Sequence, residues 1–196
     1  MNQSDYIRQA QSLLGVTQDG VFGEKTLFAL RQALGDTLSS KAPSAIPDDY
    51  WTMLANIESG GRPYIKASTS SASGLYQFIR STWIGEGGTW GNDNSKAFGG
   101  LRPTEGEQLA RVKTFTEKNA KALQAAGIGL NKASLYASHF LGVGTAIKAI
   151  NGDVNKPVAN YVSSDAVRAN PSILGGGKTV GDFLTWLHKK TGDWAR

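Results

Sequence analysis

Tyr50-Trp51-Thr52-Met53-Leu54-Ala55-Asn56-Ile57-Glu58-Ser59-Gly60-Gly61-Arg62-Pro63 holds the most informative pattern in the chain. Tyr50, Leu54, Ile57 and Glu58 recur at helical spacing. The segment therefore reads as a helix with one apolar face, opened by the acidic Pro47-Asp48-Asp49 and stopped by Gly60-Gly61. That inward face carries a carboxylate. Water-poor surroundings disfavour the charged form of Glu58 and raise its pKa, as a general acid working near neutrality requires. Because the helix ends one residue later, the carboxyl sits at the lip of a loop, the geometry of a cleft. Periodicity alone leaves open the alternative of a helix-terminal Glu paired with Arg62 or Lys66.

On the downstream side, residues 60–76 are rich in Gly, Ser and Thr and read as a loop or small hairpin leading to a helix near Gln77–Trp83. Thr104-Glu105-Gly106-Glu107 forms a capping box ahead of Leu109, Val112, Phe115 and Leu123. Further helices are predicted over 131–141, 144–151, 157–168, with Pro157 in the first turn, and 179–190, with Thr179 as cap. On the upstream side, Tyr6, Ile7, Ala10, Leu13 and Leu14 form one stripe of a helix over 4–14, capped by Ser4 and closed by Gly15. A second helix runs from about Glu24 to Leu34, before Gly35. Between them lies the turn Asp19-Gly20-Val21-Phe22-Gly23, with Phe22 expected inside. The fold class is mainly α with at most a small β-hairpin. The division is a small helical unit over 1–37, a linker over 38–47 with two Pro, and a larger helical unit over 48–196.

Two stretches carry a resemblance to known families. Glu58-Ser59-Gly60-Gly61-Arg62-Pro63, then Ser68, then Ala72-Ser73-Gly74-Leu75-Tyr76-Gln77-Phe78 and Thr82 resemble the site of soluble lytic transglycosylases and goose-type lysozymes. There the pattern is Glu-Ser, a Pro five positions on, a Ser, and Gly-Leu-Met-Gln; Tyr76 stands in place of the Met. The resemblance implies a lysozyme-like catalytic domain with Glu58 as acid and base. It also implies that Ser68, Tyr76 and Gln77 contact N-acetyl sugars. Tyr136-Ala137-Ser138-His139-Phe140 is the nearest match to the family's Ala-Tyr-Asn-Ala-Gly run, which makes Tyr136 and His139 candidates for the opposite cleft wall. Asp19-Gly20-Val21-Phe22-Gly23-Glu24-Lys25-Thr26 is similar to a peptidoglycan-binding module with the signature Asp-Gly-x-x-Gly-x-x-Thr. By that likeness Asp19, Gly20, Phe22, Gly23 and Thr26 contact the cell wall. Together the two likenesses imply a modular bacteriophage endolysin acting on peptidoglycan glycan strands as a monomer.

A hydrolytic muramidase would need a second acid, and Glu86 and Asp93 in Gly85-Glu86-Gly87-Gly88-Thr89-Trp90-Gly91-Asn92-Asp93 are the candidates; solvated loop charge is the alternative for both. Trp83 and Trp90 offer faces for sugar stacking, although a Trp at helical spacing is more often part of the core. A non-catalytic wall-binding or tail protein is the competing class, weighed against by the presence of both Glu58 and Gln77.

Composition narrows the chemistry further. The 196 residues include no Cys and two His, His139 and His188, far apart, so no metal site and no cofactor are expected. The net charge is +5, with the basic excess in the larger unit. That suits a carboxylate-rich wall, whereas scattered basic residues without an aromatic-interleaved motif argue against nucleic acid. The polar start Met1-Asn2-Gln3-Ser4-Asp5 and the lack of a long apolar run predict a protein held in the host cytoplasm without a signal peptide and without stable membrane insertion. The closing Lys189-Lys190…Arg196 reads either as a basic amphipathic end or as a core helix.

Overall fold

The computed structural model describes residues 2–38 and 45–196. The chain is mainly helical. Its helices are α1 (Gln3–Leu13), α2 (Glu24–Leu38), α3 (Tyr50–Ser59), α4 (Arg80–Gly85), α5 (Glu105–Ala125), α6 (Lys132–Leu141), α7 (Val143–Ile150), α8 (Ser164–Ala169), α9 (Pro171–Leu174) and α10 (Val180–Thr191). Among the described residues, extended pairing is limited to isolated bridges: Lys66 with Ser73, Ser73 with Phe78, and Pro157 with Thr179. No helix among them is long and apolar enough to cross a membrane.

The core lies where α5, α6, α7 and α10 meet. Val112 and Leu123 of α5, Leu135 of α6, Ile150 of α7 and Phe183, Leu184 and Leu187 of α10 are all sealed from solvent. The apolar face of α3 enters the same core through Tyr50 and Leu54, both at 0 % exposure, so its last turn is fixed at the core edge. Capping follows the sequence signals at Thr104 and Thr179, which accept from the amides of Glu107 and Asp182; the box expected at Thr104 stays one-sided because Glu107 pairs with Arg111, and Asn131 caps α6 by accepting from the Ser134 amide. Helix α10 is the closing core helix, and the residues after it, Trp194 and Ala195, are buried as well.

Four expectations are corrected. The cap of α1 is Asn2, in a capping box with Asp5, while Ser4 donates to the Gly20 carbonyl. Helix α2 continues through Gly35 to Leu38, and residues 39–44 of the expected linker lie outside the described residues. Phe22 is 49 % exposed, as are Tyr6 at 60 % and Leu13 at 86 %; the centre of this unit is the polar Gln11, 1 % exposed. Two short helices cannot enclose a set of large apolar side chains, and a hydrogen-bonded hub takes the interior. The helix expected over 157–168 is a 3₁₀ turn, Val158–Asn160, followed by α8, because Pro157 stays extended against Thr179 and Ser163 caps a new start.

The loop after α3 is tied down by α5. The Gln108 side-chain amide donates to the Pro63 and Pro103 carbonyls and accepts from the Leu75 amide at 2.8 Å. Gly74 makes this approach possible: it has φ +81°, and a Cβ there would stand 2.3 Å from Gln108 Oε1 and 2.4 Å from the Phe98 ring. Both contacts are with groups locked in the core. Gly74→Ala is therefore expected to cost about 3 kcal/mol of stability, from overpacking and a disfavoured backbone, read as a lower denaturant midpoint with an unchanged slope.

Candidate active site at the end of helix α3

Glu58 occupies the last turn of α3, half-buried, with its carboxyl turned toward α6 and α10. Burial raises its pKa above the usual carboxylate value; the facing Tyr136 hydroxyl and the Lys190 ammonium pull the other way without cancelling it. Neither basic residue proposed as a partner reaches it. Arg62 donates to the Ser59 carbonyl at 2.8 Å, and Lys66 to the carbonyls of Ala67 and Ser70. Among the described residues no ion pair forms at Glu58. The acid is held in a place that favours its protonated form.

Tyr136 stands across from it on α6, 4 % exposed, packed on Trp186 at 5.8 Å and stacked on Phe140 at 6.3 Å. Burial and the nearby Glu58 push its phenol pKa up, so Tyr136 stays a hydrogen-bond donor. Tyr50, two turns before Glu58 on α3, completes the buried side; its hydroxyl faces Thr116 without a well-formed hydrogen bond, and burial raises its pKa too. Tyr50 was visible in the sequence as an i, i+8 neighbour of Glu58 but drew no functional role. Lys190 gave no such signal, because it reaches Glu58 only through the packing of α10.

The second group of expected residues gathers on the loop beside α4. Gln77 has φ +47°, a strained setting for a side chain with a Cβ. The paired amides of Ser73 and Phe78 hold the backbone there, so α4 begins at Arg80 rather than at Gln77 as expected. The Gln77 side-chain amine donates to the Gly74 carbonyl at 2.9 Å, which leaves its oxygen as the acceptor. Ser68 is exposed at the tip of the same loop. Tyr76 and His139, expected to line a cleft wall, turn inward instead. Tyr76 is 5 % exposed, and His139 Nε2 donates to its carbonyl at 3.0 Å. The His139 ring packs edge-on against Phe78 and Phe115, and burial lowers its pKa to about 4, so it is neutral. Tyr136 and His139 lie three residues apart on α6, so one helix braces both Glu58 and the strained Gln77 peptide.

Glu86 and Asp93 are already engaged. Glu86 is 8 % exposed in its side chain and pairs with Lys118 at 2.8 Å. Asp93 accepts from Ser95 and Lys96, which hold its pKa down at about 2. Trp83 is core, at 0 % exposure, with its indole N–H donating to the Thr89 carbonyl, and Trp90 packs edge-on to Phe98.

In the N-terminal unit the motif residues converge on Gln11. Its amine meets Asp19 Oδ1 at 2.7 Å, the Val21 carbonyl at 2.9 Å and Thr26 Oγ1 at 2.7 Å, while its oxygen accepts from the Gly20 amide. Thr26 thus holds the turn from within, and Gly20 and the exposed Asp19 hold it from its outer side. Phe22 and Asp19 are the motif side chains displayed to solvent, with the half-buried Gly23 beside Phe22. No group of His, Cys, Asp and Glu among the described residues is arranged to hold a metal ion. No family model matches the chain, and no curated protein matches it.

Two pH effects follow with opposite signs. Glu58 has a folded pKa raised above its unfolded value, so the folded state loses stability as pH rises through that range. Glu58→Gln should therefore raise the melting temperature at pH 7, by about 2–4 °C. His139 has a folded pKa lowered from 6.5 to about 4, so its contribution is complete above the unfolded value and is lost as pH falls through this window. Denaturation midpoints should decline from pH 6.5 to 4, and the decline should flatten in His139→Gln.

Proposed function

We propose that the protein is a peptidoglycan-degrading enzyme that cleaves the β-1,4 bond between MurNAc and GlcNAc as a lytic transglycosylase, with a lysozyme-like catalytic unit over 48–196. The observation that carries this reading is the unpaired, partly desolvated Glu58 carboxyl facing Tyr136. In the proposed reaction, protonated Glu58 donates to the glycosidic oxygen as the bond to MurNAc C1 breaks, and the sugar's own N-acetyl oxygen stabilises the cation. The Glu58 carboxylate then takes the proton of the C6 hydroxyl while that oxygen bonds to C1, closing a 1,6-anhydro ring and restoring the acid. One carboxyl suffices, and no water is consumed.

Tyr136 suits this cycle because it donates to the carboxylate formed midway and, through its raised pKa, never competes as a base. The oxygen of Gln77 and the exposed Ser68 are the polar groups we assign to the sugar amides. Residues 1–37 we read as an accessory wall-binding unit, consistent with an endolysin of modular design. A hydrolytic muramidase built on Glu86 or Asp93 gains no support, since Lys118 holds the first and a local turn the second. A non-catalytic wall-binding protein would gain nothing from keeping a carboxyl in a site that raises its pKa.

Mass spectrometry of soluble fragments from purified peptidoglycan tests the reading. Wild type should release fragments ending in 1,6-anhydro-MurNAc, and Glu58→Gln should release them about 10²- to 10⁴-fold more slowly. Reducing MurNAc ends, or equal release by both proteins, would overturn it. Since Tyr136 lowers the Glu58 pKa, Tyr136→Phe should leave Glu58 protonated to higher pH and move the basic limb of the rate profile upward.

A further inference from the structure

A groove of about 770 Å³ separates the N-terminal helices from the start of α10. Lys25 and Phe28 of α2 line one wall, and Lys178, Asp182, Trp186 and Lys189 line the other. Asp182 is the one carboxylate among the described residues that line it, against three lysines. The Thr179 amide and hydroxyl fix this carboxylate in the cap of α10, where Lys178 and Lys25 both act on it, and these two exposed lysines outweigh its single charge. Trp186 is the partly exposed ring of the lining, Phe28 being buried against Trp194, and Thr17, Asn155, Ser172 and Thr185 add hydroxyl and amide groups.

We propose that this groove, rather than the Asp19–Thr26 turn, is where the chain holds the wall, taking a saccharide strand whose attached peptides carry carboxylates. The inference rests on the function proposed above. Aromatic faces accept the apolar faces of sugar rings, hydroxyls and amides exchange hydrogen bonds with polyols, and ammonium groups match carboxylates. The turn motif fits less well: its exposed charge is the Asp19 carboxylate, which repels anionic peptides, and the Thr26 hydroxyl is buried on Gln11. The groove also adjoins the acid: Trp186 lines it and packs on Tyr136, which faces Glu58. A strand seated there lies against the same wall that positions the catalytic group.

The test uses the full chain carrying Glu58→Gln, so that insoluble peptidoglycan is not consumed, with binding measured by co-sedimentation. Adding Lys25→Glu and Lys178→Glu, both exposed positions, should weaken binding about tenfold. Capping the peptide carboxylates of the peptidoglycan as amides should weaken the parent by a similar factor and leave the double variant unchanged. Phe22→Ala should bind as the parent does. Parent-like binding by the double variant, a loss with Phe22→Ala, or no binding by the parent would overturn the groove. Release of anhydro-fragments by wild type, measured separately, shows in each case whether the enzymatic reading survives.

Discussion

A carboxylic acid on the inward face of a helix has to find a cation, find several hydrogen-bond donors, or take up a proton. Glu58 has the facing Tyr136 hydroxyl and the Lys190 ammonium, and these fall short of what burial removes. The surroundings are arranged around that deficit. Tyr50 and Leu54 anchor α3 in the core, α6 sets Tyr136 opposite the acid, and α10 delivers Lys190. Arg62 and Lys66 lie close in sequence but are drawn off to backbone carbonyls, which keeps the carboxyl unpaired. Such a site opposes folding near neutrality, a cost that a purely structural Glu would not carry.

The loop beyond α3 needs its own restraint because it holds Gln77 at a positive φ. Gln108 reaches from α5 into the loop, Gly74 lets the backbone come close enough to meet it, and Ser73 Oγ accepts from the Phe98 amide across the same contact. His139 adds the last tie through the Tyr76 carbonyl. Because Tyr136 and His139 sit on successive turns of α6, a shift of that helix would disturb the acid and the strained peptide together.

Helical periodicity was enough to place Glu58, since Tyr50, Leu54 and Glu58 repeat every four residues and the glycines after them admit no further turn. The capping residues Thr104 and Thr179 were legible for the same local reason. Long-range partners were not. Lys190 lies 132 positions from Glu58 along the chain, and Gln108 meets Leu75 across a separation of 33 that no periodicity encodes. The choice between core and cleft for His139 stayed open in the sequence because its acceptor, the Tyr76 carbonyl, lies 63 positions away along the chain. Phe22 misled for the opposite reason: an aromatic in a glycine turn looks buried, but Gln11 had already filled the interior.

The account stands on Glu58 being an acid whose proton is held by its surroundings. Carbon-13 NMR of glutamate side-chain carboxyls, titrated in wild type and in Glu58→Gln, isolates that one resonance by difference. The account predicts a midpoint clearly above the ordinary value of 4.5 for a Glu carboxyl. A midpoint at or below that value would mean that Glu58 is solvated or ion-paired, and would remove the physical basis for its role as the general acid.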